Sequence, residues 1–315
     1  MGIPIRYNLS NFIQTLRNPK LFLKEAQRLA VQANATYSQL RGHEDWCAVV
    51  DEEWDNLIIL DGCRYDLFEE TSELDGRLES RISAGSESWE FLEKNFQGRQ
   101  LHNTIYITAN PHAPRIDNGT FYKKINLLES GWDPDLKTVT PEIITKKAVS
   151  MHQEYPHKRL IIHYMQPHFP FIGKKGKELE QSGVREGSAN GDGTASNIWN
   201  QLRYDRVDVD EDFVYEAYKE NLELTLPYVS QLLQSIDGKS AVTSDHGNLV
   251  GERAGPIPIK GYGHPEGYYT LPLVKVPWLV VEATQRREVT VGSPTEQTTM
   301  ETEVVQNRLE NLGYK

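Results

Sequence analysis

The sequence predicts an α/β fold of layered helices and sheet. Two observations predict it: five short apolar runs bounded by polar residues, which read as strands, and helical patterns of apolar spacing between them. At 315 residues the chain suffices for one large domain or two small ones, with a substantial buried core.

In chain order, residues 10–34 come first. Phe12, Ile13, Leu16, Leu21, Phe22, Ala26, Leu29 and Ala30 are spaced for a helix pair broken near Asn18-Pro19. Residues 1–45 therefore read as an N-terminal helical arm that packs on a main domain, 46–315. The basic residues Arg17, Lys20, Lys24 and Arg28 support a second reading, contact with a membrane surface through residues 1–35. The run Trp54 to Asp61 follows, with Leu57, Ile58, Ile59 and Leu60 as a strand buried on both faces. Its last residue, Asp61, falls at the C-terminal edge, where sites assemble in open α/β sheets. Similar runs are Thr104 to Ala109, Leu160 to Tyr164, Ser240 to Ser244 and Val276 to Val281, with helical patterns near 88–95, 141–153, 211–236 and 299–312. Residues 173–200, rich in Gly, Ser, Lys and Glu, read as a surface insertion placed just after His168. Val289 to Thr299 reads as a polar loop. There is no internal repeat, no GxGxxG and no P-loop pattern.

Composition excludes several classes. The formal net charge is −11, whereas a non-specific nucleic-acid binder needs clustered Lys and Arg against the phosphate backbone. Hydrophobic residues at 38% suit a globular fold. No apolar run reaches the roughly 18 residues of a membrane span, the N-terminus lacks an apolar signal-peptide core, and Arg6 breaks a myristoylation pattern. Cys47 and Cys63 form no CxxC pair or disulfide framework; two free thiols imply a reducing compartment, and the expectation is a cytoplasmic protein.

The chemistry lies where strands end. Asp61 closes one strand, Thr243-Ser244-Asp245-His246-Gly247 follows another, and His163-Tyr164-Met165-Gln166-Pro167-His168 follows a third, with His264 in Gly263-His264-Pro265. Carboxylates with neutral imidazole suit Zn²⁺ or Mn²⁺ better than an all-oxygen Ca²⁺ cage. Ser86 and Ser88, ahead of the helical pattern near 88–95, are nucleophile candidates, because a helix N-terminus stabilises an alkoxide and an incoming oxyanion. Either serine could instead be a helix cap. Arg64 could hold a substrate oxygen or pair with Asp66. His163, inside a strand, reads as a core or supporting residue, and Cys63 as a small buried filler. His102, His112, His152 and His157 sit in polar contexts and receive no role.

The segments LIILDGCRYDLF (57–68), SAGSESWEFL (83–92), IIHYMQPHFPFIG (161–173), TSDHGNLVGE (243–252) and GHPEG (263–267) with KVPWLVV (275–281) resemble the alkaline phosphatase superfamily, in particular its sulfatase-like branch. The resemblance implies a mixed central sheet sandwiched between helical layers. It implies that Asp61, Asp245 and His246 bind metal with the oxygen of Ser88, the serine at the position of the family's Thr-Pro or Ser-Pro pair. It also implies that His168 faces the transferred group and that His264 matches the family's histidine before the last sheet strand, one or the other steadying that group and protonating the leaving alcohol. Gly62 stands where relatives carry a second acid, Gln166 where they carry Asp, and Trp89 where they carry Pro. The C/S-x-P-x-R setting needed to make formylglycine is missing, which favours phosphoester over sulfuric ester chemistry.

The reading is a hydrolase of phosphate or sulfate esters with one divalent metal ion, Mn²⁺ or Zn²⁺ favoured and Ca²⁺ or Mg²⁺ as alternatives. Its substrate would be a small-molecule ester or one linked to a glycan or lipid. The rival readings are a phosphoryl-group transferase acting on a glycan or lipid, and a metal-binding protein without turnover.

Overall fold

The computed structural model describes residues 19–181, 198–203, 207–295 and 308–309. Its centre is a seven-stranded sheet. In chain order the strands are β1 (Asn56–Leu60), β2 (Arg77–Ile82), β3 (Leu101–Thr108), β4 (Phe121–Asn126), β5 (Trp132–Asp133), β6 (Thr138–Val139), β7 (Arg159–Tyr164), β8 (Ser240–Thr243), β9 (Leu249–Arg253), β10 (Lys260–Gly263) and β11 (Lys275–Val281). The main sheet runs β2-β11-β8-β1-β7-β3-β4, while β5–β6 and β9–β10 form two-stranded sheets of their own. β1 pairs in parallel with β7 and β8, and β3 with β4 and β7; β11 runs antiparallel to both β8 and β2. The sheet is mixed, as the sequence reading implies.

Helices cover both faces. They are α1 (Pro19–Arg41), α2 (Tyr65–Thr71), α3 (Ser88–Phe96), α4 (Pro141–Glu154), α5 (Lys174–Gln181), α6 (Ile198–Arg203), α7 (Glu211–Ser235) and α8 (Leu271–Val274). The period-two alternation of a strand explains the two cores. Ile58 and Leu60 pack with Ala148 of α4 and with Val214, Leu222 and Val229 of α7. Leu57 and Ile59 point to the opposite face, where Phe91, Leu92 and Phe96 of α3 meet Trp54 and Trp278. These four apolar side chains of β1 are fully buried, and each such burial is worth about 1.5–3 kcal/mol. A central strand with two apolar faces can only sit between two layers, so the unbroken apolar run dictates the sandwich.

The five expected strands are all present. The two main-sheet strands not seen in the sequence, β2 (RLESRI) and β4 (FYKKIN), lie at the sheet's two edges and carry polar side chains that blunt an exposed edge. α3, α4 and α7 match the patterns near 88–95, 141–153 and 211–236. The expected helix at 299–312 falls outside the described residues except for 308–309. Within 173–200, residues 174–181 and 198–200 are helical, and 182–197 lie outside the described residues. The stretch 10–18 lies outside them as well, and α1 runs from Pro19.

A single turn joins two strand exits. Directly after β1, Gly62 adopts φ +67°, and a Cβ there would stand 2.8 Å from the Asn248 side-chain nitrogen. Only glycine fits this left-handed, crowded position. The tight turn lets the Gly62 N–H donate to Asp245 Oδ1 at 2.9 Å, tying the exit of β1 to the exit of β8.

Candidate active site

Four strand exits and one helix start converge. Asp61 follows β1, Asp245 and His246 follow β8, His163 lies near the end of β7, Asn110 follows β3, and Ser88 opens α3. β1 and β8 are neighbours, and β7 flanks β1 on its other side, so parallel pairing sets these ends side by side. Asp61, Ser88, Asn110, His163, Asp245 and His246 are all fully buried.

Ser88 stands at the centre of this group. Its hydroxyl lies 2.7 Å from Asp245 Oδ2, 3.4 Å from Asp61 Oδ2 and 3.2 Å from His246 Nε2. Ser88 is not the cap of α3. That role belongs to Glu87, whose carboxylate accepts from the Trp89 and Glu90 N–H groups. Ser86 is structural: its hydroxyl reaches Glu90 and the Pro265 carbonyl, and it accepts from the Tyr268 N–H. Of the two serine candidates, only Ser88 meets the acids and imidazoles.

The Asp-His pair is held by its own backbone. Asp245 Oδ1 accepts the Gly62 and His246 N–H groups, which leaves Oδ2 for Ser88. His246 Nδ1 lies 2.9 Å from the Gly247 carbonyl. Donation there directs the Nε2 lone pair toward the carboxylates, 3.7 Å from Asp61 Oδ1 and 3.6 Å from Asp245 Oδ2. Burial pushes the Asp245 carboxyl up. His246, His163, the Gly62 N–H and the Ser88 hydroxyl outweigh it and hold the group below the usual carboxylate range.

Two residues that the sequence reading left outside the site belong to this cluster. His163 Nε2 lies 3.6 Å from Asp61 Oδ2 and 3.7 Å from Asp245 Oδ2, while its Nδ1 meets the Tyr106 hydroxyl at 3.0 Å. Nε2 has no hydrogen-bond partner although it is buried. Asn110 donates from Nδ2 to Asp61 Oδ2 at 2.7 Å and orients that carboxylate. One signal for Asn110 was available in the sequence, because it follows a strand at the same sheet edge as Asp61.

The residues present fit a divalent cation. Asp61, His163 and Asp245 each offer an atom within 4.8 Å of the others. Two buried carboxylates in one place are costly without a cation, and the orphaned His163 nitrogen is a donor atom awaiting a partner. The mixed oxygen and nitrogen set suits Zn²⁺ or Mn²⁺.

A second group of imidazoles adjoins the first. His168 and His264 face each other with their Nε2 atoms 2.9 Å apart, and the His246 ring lies 4.5 Å from His264 and 6.3 Å from His168. His168 Nδ1 lies 2.6 Å from the Phe169 carbonyl, so that nitrogen carries its proton, and the shared proton between the rings belongs to His264 Nε2. His112, to which the sequence reading gave no role, is buried near these residues. Its neighbour Arg115 stacks 3.6 Å above Trp89, the residue after Ser88. Gln166 bonds instead to Thr138 and Val139, and Arg64 is held by Asp66, Glu252 and the Asn248 carbonyl. Arg64 is therefore structural here, and Cys63 is buried.

Burial drives the His112, His163 and His168 pKa values down to about 3, 4 and 4, and drives His264 lower as well. The unfolded chain therefore takes up these protons first. The stability due to neutral imidazoles is complete above pH 6.5 and is lost as pH falls toward 4. Each such histidine contributes about 1.4 kcal/mol per pH unit in that window. For the metal-free chain the melting temperature is expected to drop steadily from pH 7 to pH 5 by scanning calorimetry; a flat profile would refute the neutral-imidazole account.

No protein family model matches the sequence, and no curated protein matches it. Solved structures do align with the fold. They include the C-terminal periplasmic domain of EptC from Escherichia coli in complex with Zn, at 14% identity and TM-score 0.48, over 73% of this chain and 72% of that one. The corresponding domain of phosphoethanolamine transferase EptC from Campylobacter jejuni aligns at 13% identity and TM-score 0.43, over 72% and 78%. A phosphonate monoester hydrolase from Silicibacter pomeroyi aligns at 11% identity and TM-score 0.41, over 82% and 72%. Likeness this distant carries no argument about activity. The expectation of a cytoplasmic protein does not hold: two of these structures are periplasmic domains, and two unpaired cysteines do not decide a compartment. In its sequence blocks, and in a mixed sheet with helices on both faces, the chain resembles the alkaline phosphatase superfamily in its sulfatase-like branch.

Proposed function

We propose that the chain is a metal-dependent enzyme that cleaves phosphate esters with Ser88 as the nucleophile. The observation that carries the reading is the convergence of the Ser88 hydroxyl with Asp61, Asp245 and His246 at one sheet edge. Asp61, Asp245, His246 and the Ser88 oxygen would hold the ion, with His163 Nε2 as a further donor. When bound, the ion supplies a Lewis acid that lowers the hydroxyl pKa and neutralises charge on the ester oxygens.

The chain's own groups account for the rest. Ser88, its hydroxyl proton lost to water once its pKa is lowered, attacks phosphorus and displaces the ester oxygen in line. His168 and His264 would steady the transferred group by hydrogen bonding as neutral imidazoles, and the departing alcohol takes its proton from water. Water then cleaves the phosphoserine in the hydrolase reading; an acceptor alcohol takes the group in the transferase reading.

The test is p-nitrophenol release from a phosphate monoester, a phosphate diester and a sulfate ester, with Zn²⁺ or Mn²⁺ added. Phosphoester turnover without sulfate turnover is expected. Residues 88–92 read Ser-Trp-Glu-Phe-Leu and provide no formylglycine setting. Metal binding with no turnover of any ester would favour the protein without catalysis. Release that rises severalfold when an alcohol such as glycerol is added would favour the transferase.

A further inference from the structure

α1 has two faces of opposite use. Successive residues of a helix turn by about 100°. Gln27, Val31, Asn34, Ala35 and Ser38 therefore share one side, and each is at least partly buried. That side docks on the protein. Asn34 donates to the Ile257 carbonyl at 2.9 Å, accepts from the Ile257 N–H at 3.0 Å and meets the Tyr268 hydroxyl, while Ala35 packs against the cluster of Leu249, Tyr268, Leu273 and Val274. Phe22, Ala26, Leu29, Ala33 and Leu40 fall on the opposite side, and all five are exposed, Leu40 by 82%. Tyr37 adjoins them at 44% exposure. Half of the eight large exposed hydrophobics among the described residues thus lie on this one helix, and a fifth, Ile257, sits on the segment Asn34 binds. Scattered exposed apolar residues need no explanation, but a stripe along a docked helix does.

Charge identifies what covers it. α1 carries four basic residues, Lys20, Lys24, Arg28 and Arg41, against one acid, Glu25, within a chain of net charge −11. Arg28 pairs with Glu25 within the helix, and four basic residues less one acid leave the helix a net charge of +3, opposite in sign to the chain. An apolar stripe on a basic helix suits a bilayer containing anionic lipid.

We propose that the exposed stripe from Phe22 to Leu40 is a membrane-docking face that lies in the headgroup layer of an anionic bilayer. Its position gives the docking a purpose. α1 rests on the segment 254–268, which also carries His264, and Tyr268 in turn touches Ser86, two residues before Ser88. Just past α1, His43 stacks on Tyr269 at 4.1 Å, and Tyr269 bonds Glu90 of α3. A docked α1 would hold the site beside the lipid surface. That consequence, an ester substrate presented at the membrane, rests on the function proposed above; the docking itself does not.

The test is flotation of the full chain with vesicles of phosphatidylcholine alone and of phosphatidylcholine with phosphatidylglycerol. The chain is expected to float with the anionic vesicles and much less with the neutral ones, and added salt should weaken binding. Leu29→Glu with Leu40→Glu changes only exposed positions. It is expected to lower binding by at least about tenfold while leaving the melting temperature and turnover of a soluble ester unchanged. Absence of wild-type flotation would overturn the proposal, as would undiminished flotation of the double variant. A dimer in light scattering that the double variant splits would overturn it too, by assigning the stripe to self-association. Activity toward soluble esters is read separately, so loss of one reading leaves the other standing.

Discussion

Ser88→Ala is expected to abolish turnover, lowering kcat by about three orders of magnitude or more, while the chain still folds and still takes up metal. The size follows from the step removed. Without a nucleophilic oxygen there is no covalent path, and only positioning and charge stabilisation persist. Folding should survive because α3 is capped by the Glu87 carboxylate rather than by Ser88. Metal should be retained because the Asp61, Asp245 and His246 side chains are each set by other contacts: Asn110 on Asp61, the Gly62 N–H on Asp245, and the Gly247 carbonyl at the His246 ring. Steady-state kinetics beside metal analysis of the purified variant checks both halves. Undiminished kcat would remove Ser88 from the chemistry. Ser86→Ala is the control, and its hydroxyl touches only Glu90, Pro265 and the Tyr268 N–H among the partners described.

Asp245→Asn is expected to lower metal affinity by about a hundredfold or more and to take activity with it. A much smaller effect is expected in the metal-free chain. Asp245 and Asp61 are both buried and both reach for Ser88, so in the absence of a cation their charges oppose each other. An amide in place of one carboxylate relieves that opposition and keeps an acceptor for the Gly62 and His246 N–H groups. The variant loses the contacts of the carboxylate with His246, His163 and Ser88 as well as its repulsion from Asp61, so it should melt close to the metal-free parent. Metal at a thousand times its Kd adds about 4 kcal/mol to the parent, and that gain should vanish in the variant. Melting curves with metal and with chelator check this. A variant that melts far below the metal-free parent would show that the carboxylate is structural rather than a ligand.

The contrast between two buried acids shows how much was legible in the sequence. Asp55 and Asp61 flank the same strand. Asp55, at its start, accepts from the Lys239 N–H and pairs with Arg286. Burial pushes its carboxyl up, and Arg286 and the backbone N–H groups outweigh that and hold it low. Asp61, at its end, meets an amide, a hydroxyl and imidazoles. Strand direction alone separates them, which is why the rule about C-terminal sheet edges found Asp61, Asp245 and His246. His163 escaped because it sits between Ile162 and Tyr164 in an apolar run. Ile162 and Tyr164 face the α7 side, and His163 faces the other, toward Tyr106 and the two acids. A strand's alternation is visible in its sequence, but which face overlooks a site is decided by distant segments. The same holds for Arg64, whose neighbours Glu252 and Asn248 lie far along the chain. β2 and β4 were missed for a third reason: edge strands are polar by necessity, and polarity hides their period.

The two rims of the sheet are fastened by different means. The upstream rim is stapled by Arg286 on Asp55, a side-chain clasp that needs no ligand. The downstream rim depends on Gly62, whose N–H reaches across to the neighbouring strand exit because that residue alone tolerates the bend. They therefore differ in resilience. Ligand loss should loosen backbone amides around 61–63 and 244–248 while those near Asp55 keep their exchange protection, so the molecule can breathe where it works without unzipping where it is held.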